Sequence, residues 1–371
     1  MASSFCFYVL FVVLFWSVCL LFERGKDMAS GHWALDELEE WYAVKGGLID
    51  CHRHIDRHNT LDEEGYRLLA DNAPLEKKWE YIDRKKRSCE YTDTMEGRMQ
   101  DAVHSMVSQG VKACRTYVDV DDIVGLAGLR AALVVKRGAA LQGFFLQVAA
   151  YPIRGITEKA QRDLFLEAAE QADLIGTLPS RDRRDIGDAA TVEKNMREYF
   201  DIAMRLKKPI DMQIDQKNTP LERESAILVD VARAYRDKGY AHGITATHCI
   251  SLGAHALAEI KRTRQAFREL GISVVVCPGA AISTRQDRFQ MAPIRNAIAP
   301  VEELLEGGVT VALGTDNVSD IFMPFCNGDL RAEMTKFADA IRWQGDLSRF
   351  ADIATTNGRM TLGLPCASER E

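Results

Sequence analysis

Nowhere among the nine cysteines does a Cys-x-x-Cys pair occur, and their spacing follows no regular interval, which argues against a zinc ribbon and a disulfide scaffold. A long basic tract is missing too. With 54 acidic against 47 basic residues and a formal net charge of −7, nucleic acid is not expected as the main partner. Short clusters such as Lys85-Lys86-Arg87 and Arg181-Asp182-Arg183-Arg184 read as solvated faces. No internal repeat or low-complexity segment is found. Phe5–Phe22 is almost wholly apolar, but it lacks both the preceding positive charge and the following cleavage site of a secretory signal peptide. It is long enough for a marginal transmembrane helix, and Met28 opens a second plausible start. Residues 1–27 are therefore set apart from the fold as a membrane anchor or an over-extended gene start. Reduced thiols fit a cytoplasmic protein, with membrane anchoring only if residues 5–22 act as an anchor.

What is present suits a large, well-packed enzyme. At 371 residues with 47% apolar and 27% charged, the chain can bury a core the size of one barrel or two ordinary domains. Beyond Met28, eight apolar runs alternate with helical patterns. The runs are Gly47–Ile55, Val111–Val120, Leu141–Pro152, Asp173–Pro179, Pro209–Asp215, Gly243–Cys249, Ile272–Pro278 and Val309–Asp316. Helical crossovers such as Thr94–Gln109, Ala190–Leu206 and Gly253–Leu270 imply parallel strands, and eight repeats imply a closed (β/α)8 TIM barrel spanning residues 28–371.

In Leu48-Ile49-Asp50-Cys51-His52-Arg53-His54, two histidines sit two residues apart at the end of the first run. Residues i and i+2 of a strand share a side, so both imidazoles project into one space, as a metal ion requires of neighbouring nitrogen ligands. His248 ends the sixth run and Asp316 the eighth. Because such barrels carry their chemistry on the carboxyl-end loops, His52, His54, His248 and Asp316 become neighbours. Cys51 and Cys249 flank the ligands but read as core residues, and Arg115 and Asp119 read as barrel packing or a salt bridge.

This series resembles the amidohydrolase superfamily, and more narrowly its cytosine deaminase-like branch. Lys77-Lys78-Trp79-Glu80, Arg115-Thr116-Tyr117-Val118-Asp119-Val120 and Asn317-Val318-Ser319-Asp320-Ile321-Phe322-Met323-Pro324-Phe325 are similar to the same branch, over about Gly47 to Pro365. The resemblance implies one divalent metal ion, zinc first and iron or manganese as alternatives, and hydrolysis of a C–N bond in a small cyclic amidine or amide. It implies His52, His54 and Asp316 as ligands, His248 as a fourth ligand or the group that polarises the bond under attack, and Asp316 as the acceptor of the nucleophile's proton. Such an ion lowers the pKa of bound water from about 15.7 toward roughly 7.

The departures are equally specific. Gln213 stands where relatives place a metal-binding His, and Gln216 where they place the proton-shuttling carboxylate; an amide can ligate weakly but accepts no proton near neutral pH. Asp215 is a candidate donor to the leaving amine, as is Asp320. Ile153 replaces the pyrimidine-binding glutamine of cytosine deaminases, which argues against cytosine. Asp320 and Phe322 are expected at the pocket mouth, touching substrate. The flanking β-sandwich of relatives is expected to be missing, and Ala354–Leu364 to form the last barrel-packing helix. Three readings remain: an active metal-dependent C–N hydrolase, which we favour, a degenerate barrel that only binds a small molecule, and a membrane-tethered scaffold. A homo-oligomer stays open, and pocket loops such as Ala280–Arg285 are expected to decide the substrate.

Overall fold

The computed structural model describes residues 32–70, 75–182, 185–186, 188–283 and 296–365. Residues 1–27, including the apolar stretch, and the end of the Ala280–Arg285 loop lie outside them. Among the described residues no helix is long and apolar enough to cross a membrane.

Eight strands form one sheet in sequential order: β1 Leu48–Arg53, β2 Val111–Asp119, β3 Phe145–Tyr151, β4 Leu174–Thr177, β5 Ile210–Ile214, β6 Ile244–His248, β7 Ile272–Val276 and β8 Val311–Leu313. Every neighbouring pair is parallel. The seam between β8 and β1 closes at the carboxyl end, where Asp316 N donates to the His52 carbonyl at 2.8 Å and His54 N donates to the Asp316 carbonyl at 3.2 Å. The expected (β/α)8 TIM barrel is therefore the observed fold. Its strands are buried on both faces, as β5, β6 and β8 show throughout, because helices cover the outside and side chains fill the inside. Among the described residues there is no flanking β-sandwich; the only other ladder is the short pair Arg181–Asp182 with Asp185–Ile186.

Two boundaries differ from the sequence reading. The helix Ala127–Leu141 runs through Leu141, and the left-handed Gly143 (φ +74) turns the chain, so β3 starts only at Phe145. The eighth strand stops at Leu313 because Asp316 takes φ +71, bending the chain inward. The last barrel-packing helix is present as Thr356–Leu362. It plugs the amino end: Asn357 Nδ2 donates to the Val311 carbonyl at 2.9 Å and Arg115 Nη2 to the Thr361 carbonyl at 2.8 Å. Gly358 permits this approach, since a Cβ there would lie 2.7 Å from Ile49 Cβ.

Inside the barrel, Arg115 spans strands as a buried ion pair, Nη1 to Asp211 Oδ2 at 2.7 Å, with Thr247 Oγ1 donating to Asp211 Oδ1 at 2.8 Å. Tyr117 Oη also donates to Asp211. Asp119 pairs with Lys86 at 2.7 Å. The structural reading of Arg115 and Asp119 holds, whereas Lys86 is not part of a solvated face: its ammonium is buried between Asp119 and Asp121, 2.6 Å from the latter. Arg181 is likewise buried, its guanidinium over the Trp79 ring at 3.3 Å. The partners of each, Asp119 and Asp121 for Lys86 and the Trp79 ring for Arg181, lie far away in sequence, which no local cluster reveals.

Candidate metal centre

The strand ends deliver the expected side chains to one mouth. His52 and His54 leave β1 on the same side and their rings meet edge to face, centroids 5.2 Å apart. His248, at the end of β6, takes φ +77, and Asp316 takes φ +71. Both conformations are costly for non-glycine residues, and both turn a side chain inward where a continuing strand would alternate away. Asp316 Oδ1 lies 3.8 Å from His52 Nε2 and 3.6 Å from His54 Nε2, and its Oδ2 lies 4.0 Å from His248 Nε2. His52, His54 and Asp316 are all buried, with donor atoms mutually within 4.8 Å.

These contacts are not ion pairs. Burial holds the imidazoles of His52 and His54 well below the ordinary histidine range, with Arg57 and the neighbouring histidines adding to the effect. His248 is lowered by burial to about 4. Three neutral rings therefore face one carboxylate. Burial also raises Asp316 to about 7, against the pull of Arg57 and with Asp320, Glu333 and Asp50 pushing the same way. Both ring nitrogens of His52 are buried without a hydrogen-bond partner, a costly state for polar atoms. Neutral imidazoles, the orphaned nitrogens of His52 and a buried carboxylate facing them together fit a divalent ion.

Neighbouring groups orient the ligands. The Tyr117 carbonyl accepts a hydrogen bond from the His54 ring, while Arg57 Nη2 lies 2.6 Å from His54 Nδ1. The Tyr117 ring also packs on His52, centroids 4.1 Å apart. Asp50 accepts from Thr315 N at 3.0 Å and Thr315 Oγ1 at 2.6 Å, locking β1 to the residue before Asp316.

The remaining expected residues divide. Gln213 is at the site: its Oε1 accepts from Tyr151 Oη at 3.3 Å, and its Nε2 is buried without a partner. Gln216 is half-buried beyond β5. Ile153 packs against the cluster of Tyr117, Ala149, Tyr151 and Leu174. Phe322 lies under the Arg57 guanidinium at 5.3 Å. Asp320 is fully buried, and its Oδ1 accepts from Phe322 N and Met323 N at 2.8 and 2.9 Å, so one oxygen builds the loop while Oδ2 has no hydrogen-bond partner. Asp215 is tied to the helix Glu224–Asp237, its Oδ1 accepting from Glu224 N at 2.9 Å and Glu224 Oε2 accepting from Asp215 N in return, while its Oδ2 is buried without a hydrogen-bond partner. Tyr117, Tyr151, Arg57 and Cys277 at the site were not anticipated.

Comparison with known proteins agrees with this geometry. The model of the amidohydrolase family matches residues 43–366. An uncharacterized protein of Haemophilus influenzae is 30% identical over 265 residues, 70% of this chain and 91% of that one. The N-isopropylammelide isopropyl amidohydrolase of a Pseudomonas species is 22% identical over 86% of this chain and 75% of its own. Among solved structures, 5-methylcytosine deaminase from Klebsiella pneumoniae liganded with 5-fluorocytosine superposes with a TM-score of 0.74 at 26% identity, covering 85% of this chain and 74% of that one.

Proposed function

As the chain belongs to the amidohydrolase family, we propose that it is a metal-dependent hydrolase that cleaves a C–N bond, other than a peptide bond, in a small cyclic amidine or amide. The observation that carries this reading is the convergence of His52, His54, His248 and Asp316 on one buried mouth. A divalent ion, zinc in our reading, supplies Lewis acidity and a nucleophile usable at neutral pH when bound.

The chain's own residues supply the rest. His52, His54 and Asp316 would hold the ion, with His248 beside them. Asp316, a buried carboxylate at the ligand mouth, is suited to take a proton at a carboxylate oxygen and return it. His248, neutral near pH 7, offers a ring N–H to charge developing on the atom under attack. Gln213 faces the same space, as a ligand through the Oε1 that also accepts from Tyr151 Oη or as a substrate contact through its unpaired Nε2. Ile153 and Phe322 supply apolar walls that exclude water, and Asp320 shapes the loop that carries Phe322. Gln216 contacts substrate without moving a proton. Metal-loaded protein should release ammonia or an amine from a panel of triazines, pyrimidines and cyclic amides. Metal-loaded, folded protein that turns over no member of a broad panel would overturn the reading.

A further inference from the structure

A second triangle of donors shares Asp316 with the first. The donor atoms of His248, Cys277 and Asp316 all lie within 4.8 Å of one another, and all three residues are buried. Cys277 directly follows β7, so it enters the mouth by a strand-end placement like that of His248, the last residue of β6. Part of the residue packs into the apolar cluster of Ile49, Cys51, Ala113, Val275 and Ala312. A core cysteine ordinarily has only such neighbours; this one also has an imidazole nitrogen and a carboxylate within ligand range. The chain meanwhile carries Gln213, a weak neutral oxygen donor, on β5.

We propose that Cys277 is a ligand of the metal ion, its sulfur making good the weak donor on β5. On binding, the S–H bond breaks, a sulfur–metal bond forms, and the proton leaves to solvent. A set of imidazole, carboxylate and thiolate favours zinc over manganese or magnesium, because a soft sulfur suits the softer ion. The proposal rests on the metal centre argued above and adds a donor to it.

Cobalt(II) is the probe for the full-length chain, since a thiolate on cobalt gives a charge-transfer band in the near ultraviolet that imidazole and carboxylate do not. The expected result is about one bound equivalent and the band in wild type and in Cys114→Ser, a buried cysteine outside the cluster. Cys277→Ser should lose the band and bind cobalt more weakly by on the order of tenfold or more. X-ray absorption of zinc-loaded wild type should show a sulfur scatterer at about 2.3 Å, a readout independent of any variant's folding. Cobalt bound without the band, a band surviving in Cys277→Ser, or zinc with only nitrogen and oxygen neighbours would overturn the proposal and leave the metal centre standing. A folded wild type that binds no metal overturns both.

Discussion

Gly314→Ala is expected to loosen the barrel seam and the metal centre together. Gly314 follows β8, and a Cβ placed there would stand 2.5 Å from His52 Cβ and 2.9 Å from His52 N. Neither neighbour is the far end of a flexible side chain. Both belong to β1, which is tied on either side by Thr315 N to Asp50 at 3.0 Å and Asp316 N to the His52 carbonyl at 2.8 Å. The methyl therefore forces the seam apart or tilts His52, and overpacking of this kind costs ~1–3 kcal/mol. Tilting a ligand should weaken metal retention by on the order of tenfold or more, the effect of disturbing the groups that orient ligands. Gly97 is the control, since a Cβ there meets nothing within 4 Å and it lies inside the helix Met95–Ser108; Gly97→Ala should stabilise by roughly 0.5–1 kcal/mol. Urea denaturation reads the stability, and competition against a chelator reads the affinity. Wild-type values of both in Gly314→Ala would refute the close approach of β8 to His52.

His58 is buried with its pKa lowered from 6.5 to about 4, by burial first and then by Arg53 and Arg98. The unfolded chain therefore takes up this proton before the folded one, and stability is lost as pH falls from 6.5 toward 4. His58→Gln should flatten that part of the stability profile in denaturation at several pH values; an unchanged slope would remove His58 from the account. Gln216→Glu adds a negative charge near the mouth and should lower kcat/KM on whatever substrate the screen yields. A rise toward the ~10²–10⁴-fold contribution of a positioned acid/base would show that the site still depends on a carboxylate there.

Much of the fold was legible because parallel barrel strands are buried on both faces and read as near-continuous apolar runs, as in Ile272–Val276 and Val311–Leu313. His52, His54, His248 and Asp316 were legible because each ends such a run. Tyr117 and Tyr151 were not, since an aromatic inside an apolar strand looks the same whether it packs in the core or orients His52 and Gln213. Cys277 was hidden for the same reason. Arg57 sits in the short helix Ile55–Arg57, and its pairing with Asp119 at 3.4 Å depends on a strand 62 positions later. Asp215 continues the register of Gln213 in sequence, but φ +56 turns the backbone there and its Oδ1 accepts from the helix end at Glu224 N.

Metal content of the protein purified without chelator, measured by elemental analysis beside His52→Ala and Asp316→Ala, tests the central claim most directly. The account predicts about one equivalent of zinc in wild type and loss of retention in both variants, each shown to be folded. Wild type free of metal under conditions that keep relatives loaded, or variants that hold the ion as wild type does, would contradict it.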